Sequence, residues 1–143
     1  MRFFWSLLIC FTYAAIDAAP LPDNVELGPP KIQLPASVQQ LSPLEVAAWL
    51  TAHPEATVID LRMPEEITRE GRLTGSHHYD FLQSSTADKL AQLDHDKPYL
   101  LYCALGGRSE KAAVQLSQQG FKQLVILKGG LDAWLKAGQP VSK

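Results

Sequence analysis

Three short aliphatic runs constrain this chain more than any other feature: Thr57-Val58-Ile59-Asp60-Leu61, Pro98-Tyr99-Leu100-Leu101-Tyr102 and Gln123-Leu124-Val125-Ile126-Leu127. Each is too short for an ordinary helix, and none alternates polar with apolar residues. A strand wetted on one side alternates, whereas a continuous run belongs to a strand covered on both faces. The segments between these runs carry helix signals. Ser42-Pro43-Leu44-Glu45 has a serine cap, a glutamate three residues later and a proline at the first helical position, where its missing N–H costs nothing. The helix it opens shows Leu44, Ala47, Ala48 and Leu50 on one side. Pro64-Glu65-Glu66 opens a short helix with acidic residues at the positive end of its dipole. Further helices are expected at about Thr86–Leu93, from Ser109 to about Gln119 with Gly120 as its stop, and over Leu131–Ala137. A weak strand is expected at Ser76–Tyr79, after a turn from Gly71 to Gly75. Strands alternating with helices predict a three-layer α/β domain, a largely parallel central sheet flanked by helices.

The chain begins differently. In residues 1–18 the single cation Arg2 precedes an apolar stretch that ends among Ala14, Ala15, Ala18 and Ala19. That order is expected of a secretory signal peptide, the alternative being a buried N-terminal helix. The apolar stretch is short of the roughly 20 residues a spanning helix needs. Residues 19–37 hold five of the ten prolines and are expected to be an extended tether. The domain proper is expected over 38–143. This organisation predicts an exported protein, in a bacterial periplasm, with no membrane attachment once the leader is cleaved.

Removing the leader takes away Arg2, Asp17 and Cys10, so the formal net charge stays at -2. A chain of 143 residues with no basic surplus gives no sign of nucleic-acid binding. Two cysteines make neither a disulfide scaffold nor a zinc cluster, and no metal is assigned. His77 and His78 are adjacent on an expected strand and point to opposite faces, while His53 and His95 lie near helix ends. Trp49 and Trp134 are read as core aromatics, not as a cofactor box.

What is left after export is one thiol, Cys103. It ends a buried strand and opens a glycine-bent loop leading into a helix, and in open parallel sheets the reactive crevice lies outside the carboxyl ends of the strands. A lone cysteine at a strand end is often only a small buried hydrophobe. The spacing Cys103-Ala104-Leu105-Gly106-Gly107-Arg108-Ser109 argues for more. Two glycines let successive N–H groups turn inward above a helix start, which makes an anion nest. With Arg108 at the far end, the loop is expected to favour the thiolate and to hold an anionic sulfur substrate or a persulfide.

At these residues the sequence resembles the rhodanese (thiosulfate:cyanide sulfurtransferase) family in its single-domain form, over roughly Val38 to Val141. The resemblance rests on three motifs in order: Val58-Ile59-Asp60-Leu61-Arg62 with Pro64-Glu65-Glu66 and Gly71-Arg72-Leu73-Thr74-Gly75-Ser76; Tyr102 to Ser109; and Gly129-Gly130-Leu131-Asp132-Ala133-Trp134 with Ala137-Gly138-Gln139-Pro140-Val141. It implies a persulfide-forming Cys103 and a substrate-binding loop made by Ala104, Leu105, Gly106, Gly107, Arg108 and Ser109. Arg72 stands where the family often has histidine. The implied activity is transfer of a sulfane sulfur from thiosulfate or a similar small-molecule donor to a thiophilic acceptor, cyanide in an assay and a thiol in use, with no cofactor. Two rivals remain: a non-catalytic sulfur-carrier or binding module, and a phosphatase or arsenate reductase. The latter use a loop with five residues between cysteine and arginine, one more than here. Asp60 and Arg62 end the first run; they either face the same crevice and support the loop or form a capping or ion-paired contact of their own.

Overall fold

The computed structural model describes residues 31–143, and the compact unit within them is Ile32–Lys143. The leader and most of the expected tether lie outside the described residues. The unit starts six residues before the expected boundary at Val38. Leu34 packs on the core, and the Ser37 hydroxyl meets that of Ser117 at 2.7 Å.

Among the described residues, five strands and five helices alternate. They are β1 (Val38–Leu41), α1 (Pro43–Ala52), β2 (Thr57–Asp60), α2 (Pro64–Glu70), β3 (His77–His78), α3 (Thr86–Ala91), β4 (Pro98–Tyr102), α4 (Gly107–Gln118), β5 (Gln123–Leu127) and α5 (Gly130–Lys136). All pairings are parallel, in the order β1-β5-β4-β2-β3. The expected three-layer architecture is therefore present. The aliphatic runs form the three inner strands: β4 is buried at every position, and Ile59, Leu100, Leu101, Ile126 and Leu127 have no exposed surface. Removing such a side chain from water is worth roughly 1.5–3 kcal/mol each.

The expectations missed β1. Its sequence, Val-Gln-Gln-Leu, buries Val38 and exposes Gln39 and Gln40, as an edge strand does. At the α1 start, Glu45 accepts from both the backbone N–H and the hydroxyl of Ser42, at 2.8 and 2.6 Å. The serine hydroxyl thus donates to the carboxylate, and those two bonds hold Glu45 below its ordinary pKa.

Alternation along the strands divides the core in two. Ile59, Leu61, Leu101 and Cys103 face the side covered by α3 and α4, with Leu90, Ala112, Ala113 and Leu116. Val58, Leu100, Tyr102, Val125 and Leu127 face the other side, with Val46 of α1 and Leu131 and Trp134 of α5. From β2 the chain moves outward to β3, while from β4 it moves the opposite way to β5. The gap between the carboxyl ends of β2 and β4 is therefore the switch point of the sheet, where α/β domains of this kind form their crevice.

Candidate active site

Cys103 follows β4 directly and sits at that switch point. Its residue surface is 1% exposed, and among the described residues it is the free cysteine. The Gly106 N–H donates to Cys103 Sγ at 3.1 Å, so the loop curls back over the sulfur. Gly106 achieves this with a φ of +113°, a conformation that an L side chain rarely adopts. Next come the first positions of α4, Gly107, Arg108 and Ser109, whose amides have no partner one turn earlier in the helix. The Ser109 hydroxyl lies 3.8 Å from Sγ and donates to the Gly106 carbonyl at 2.7 Å, closing the loop at its base. Leu105, at the tip, is 72% exposed.

The loop is held from a direction that the sequence did not suggest. Gly129 and Gly130 turn the chain so that the start of α5 abuts the Cys103 segment. Leu131 N–H donates to the Cys103 carbonyl at 2.8 Å, and Asp132 N–H to the Ala104 carbonyl at 3.1 Å. Two orphan donors of one helix thereby satisfy two loop carbonyls.

Arg108 does not stand free at the end of the loop. Its Nη1 and Nη2 donate to Glu66 Oε2 and Oε1, each at 2.7 Å, in a two-point pair between the first turns of α4 and α2. Glu66 also accepts the Met63 N–H at 2.8 Å, which fixes it as the cap of α2. Arg108 and, to a lesser extent, that cap overcome the burial of Glu66 and hold its pKa at about 2. The guanidinium of Arg108 is raised above its ordinary value, chiefly by Glu66, with the Cys103 sulfur contributing. Glu66 is thus a residue of this site. Its position after a proline explains it equally well as a helix-start acid, and no sequence signal links it to Arg108.

Asp60 and Arg62 lie on the side of the sheet opposite Cys103, and their hydrogen bonds and ion pairs go elsewhere than the loop from Ala104 to Ser109. Arg62 Nη2 donates to Asp60 Oδ2 and to the Gly71 carbonyl, both at 2.7 Å, and both side chains are fully buried. The Tyr102 hydroxyl donates to Asp60 Oδ2 at 2.5 Å and accepts the Leu73 N–H at 3.1 Å. Burial, reinforced by Asp60, pushes the Tyr102 pKa up to about 12. The ion-paired alternative describes these two residues. They pin the Gly71–Ser76 turn and the last residue of β4, one position before the thiol. Arg72, at the position often held by histidine, pairs with Ser142 through its backbone, N–H to carbonyl in both directions at 2.8 Å.

His77 and His78 are exposed on the short edge strand β3, and His78 Nε2 lies 2.7 Å from the Arg62 carbonyl. Trp134 is buried in the core, with its Nε1 donating to the Pro140 carbonyl at 2.9 Å, while Trp49 stacks on His53. Among the described residues, no group of three or more His, Cys, Asp or Glu is placed to hold a metal ion, and no helix is long and apolar enough to cross a membrane.

Comparison with known proteins agrees with this geometry. The model of the rhodanese-like domain matches residues 42–137. The thiosulfate sulfurtransferase GlpE of Pseudomonas aeruginosa is 38% identical over 79 residues, which are 55% of this chain and 69% of that protein. Among solved structures, a rhodanese-related protein from Thermoplasma volcanium superposes with a TM-score of 0.63 at 29% identity, covering 73% of this chain and 97% of that one. The polysulfide-sulfur transferase homodimer of Wolinella succinogenes superposes with a TM-score of 0.63 at 31% identity, covering 75% and 80%.

Proposed function

The chain belongs to the rhodanese-like domain family, and from that premise we propose that it moves a sulfane sulfur from thiosulfate or a similar donor, through a persulfide on Cys103, to a thiophilic acceptor. The observation that carries this reading is the Gly106 N–H directed at Cys103 Sγ, within a loop that opens onto the start of α4. Donors arranged in advance around a reacting atom stabilise charge there without reorganising during the reaction.

In the first step the Cys103 thiolate attacks the outer sulfur of thiosulfate. A new S–S bond forms, the donor S–S bond breaks, and sulfite leaves with the bonding pair. The Cys103 persulfide then carries the negative charge on its outer sulfur, within reach of the loop amides. In the second step an acceptor attacks that sulfur: cyanide leaves as thiocyanate, or a thiolate leaves as a persulfide, and Cys103 departs as thiolate. With no second cysteine among the described residues, the attacking thiol comes from outside the domain.

The four-residue interval between Cys103 and Arg108 and the commitment of both terminal Arg108 nitrogens, Nη1 and Nη2, to Glu66 speak against phosphoryl transfer, which needs an arginine free to hold the equatorial oxygens. A sulfur carrier without turnover is the second reading, and the 1% exposure of Cys103 favours it, since an acceptor must reach a shielded atom. One experiment separates these. After thiosulfate treatment the intact mass rises by one sulfur atom, cyanide removes the adduct with multiple turnovers, and Cys103→Ser abolishes both. An adduct without turnover makes the domain a carrier; full activity in Cys103→Ser refutes the mechanism. On the strength of residues 1–18, we place this activity outside the cytoplasm, in a bacterial periplasm, where thiosulfate and low-molecular-weight thiols would be the partners.

A further inference from the structure

We propose that Glu66 sets the charge of the donor this site accepts: by cancelling Arg108, it leaves the Cys103 loop without a net positive side chain and tunes it away from dianionic donors. The inference rests on the sulfurtransferase reading above and goes beyond it to the basis of donor choice.

Arg108 is the one cation between Cys103 and Ser109. A lone guanidinium there would attract anions, and a dianion would gain twice what a monoanion gains. The structure removes that advantage. The two-point pair has both contacts at 2.7 Å, and its side chains are only 22% and 12% exposed, so solvent screens little of it. Glu66 cannot easily turn aside, because the Met63 N–H and the first turn of α2 hold it. An incoming donor therefore meets a neutral pair plus the partial charges of the loop amides. Those partial charges suit the single terminal sulfur of a persulfide, or a monoanionic donor, at least as well as thiosulfate. Glu66 acts through Arg108 and is a positioning residue, not a catalytic one.

The test compares two donors that deliver the same sulfur with different charge, using the full chain and saturating cyanide. Thiosulfate is a dianion and releases sulfite; methanethiosulfonate is a monoanion and releases methanesulfinate. The measured quantity is the ratio of kcat/KM for thiosulfate to that for methanethiosulfonate. Glu66→Gln leaves Arg108 unbalanced and raises the ratio roughly three- to tenfold, through KM. Arg108→Gln leaves Glu66 unbalanced and lowers it by a similar factor. The double variant returns to within about twofold of the wild type. A brace with no electrostatic role predicts instead that both single variants lose activity on the two donors equally, and that result overturns the proposal. The wild type supplies a measurement that needs no variant to fold: its kcat/KM for thiosulfate does not fall as salt is raised. A steep fall, the sign of an unbalanced cation, refutes the idea. A wild-type chain inert to both donors sinks the sulfurtransferase reading itself.

Discussion

Replacing Gly130 by alanine tests how the active-site loop is held. Gly130 has a φ of +63°, and a Cβ built there falls 2.5 Å from both the Cys103 and the Ala104 carbonyl oxygens. Two costs add. An L residue in the left-handed region loses about 1–2 kcal/mol. Forcing apart a packed contact adds about 1–3 kcal/mol, because the obstructing atoms are backbone held by the Leu131 and Asp132 N–H groups. Together they amount to roughly 2–5 kcal/mol, or about 8–20 °C in the thermal midpoint for a domain of this size. Movement of these carbonyls also displaces the Cys103 sulfur, so turnover falls with stability. Gly107→Ala is the control. Its Cβ meets nothing within 4 Å, and it occupies a helix start, so alanine there leaves stability unchanged or raises it by up to about 1 kcal/mol. Circular dichroism melts and the cyanide assay read both variants. If Gly130→Ala melts and turns over like the wild type, the loop is not held by α5 and the reasoning fails.

Three further outcomes follow from the same geometry. Arg62→Met leaves Asp60 buried without its cation and costs about 3–5 kcal/mol in urea unfolding, and a loss under 1 kcal/mol would contradict the buried pair. Tyr102→Phe strips Asp60 of a donor and the Leu73 N–H of its acceptor, and costs about 1–3 kcal/mol by the same measurement, whereas a neutral result would mean that neither group depends on the hydroxyl. With its pKa lowered from the ordinary 4.5 to about 2, Glu66 contributes stability that is complete above pH 4.5 and is lost as pH falls towards 2. The Glu66→Gln variant therefore shows a flatter dependence of the urea midpoint across that window, and curves parallel to the wild type would exclude Glu66 as the titrating group.

The inner strands were legible because a continuous aliphatic run has few other places to go, and Cys103 because it ends one of them before two glycines. β1 was not, since half of it is glutamine and its strand character comes from pairing with β5. The face on which Asp60 lies depends on inter-strand register. Asp60 pairs with Tyr102, which places both on the side away from Cys103, and a single sequence does not display that alignment. The Glu66–Arg108 pair joins residues 42 apart through the packing of two helix starts, and only the three-dimensional arrangement of the sheet brings them together. Local chemistry singles out Cys103 as the candidate nucleophile, and tertiary contacts set its surroundings.

The capping of the Cys103 and Ala104 carbonyls by α5 also has a consequence in time. The helix that caps the loop is synthesised more than 20 residues after the cysteine whose carbonyl it holds. A chain emerging during synthesis can therefore pack the Cys103 side chain against α3 and α4 while two carbonyls of the loop still lack partners. The interval ends when Leu131 and Asp132 dock. The order of the elements makes the anchoring of this loop one of the last steps in completing the domain.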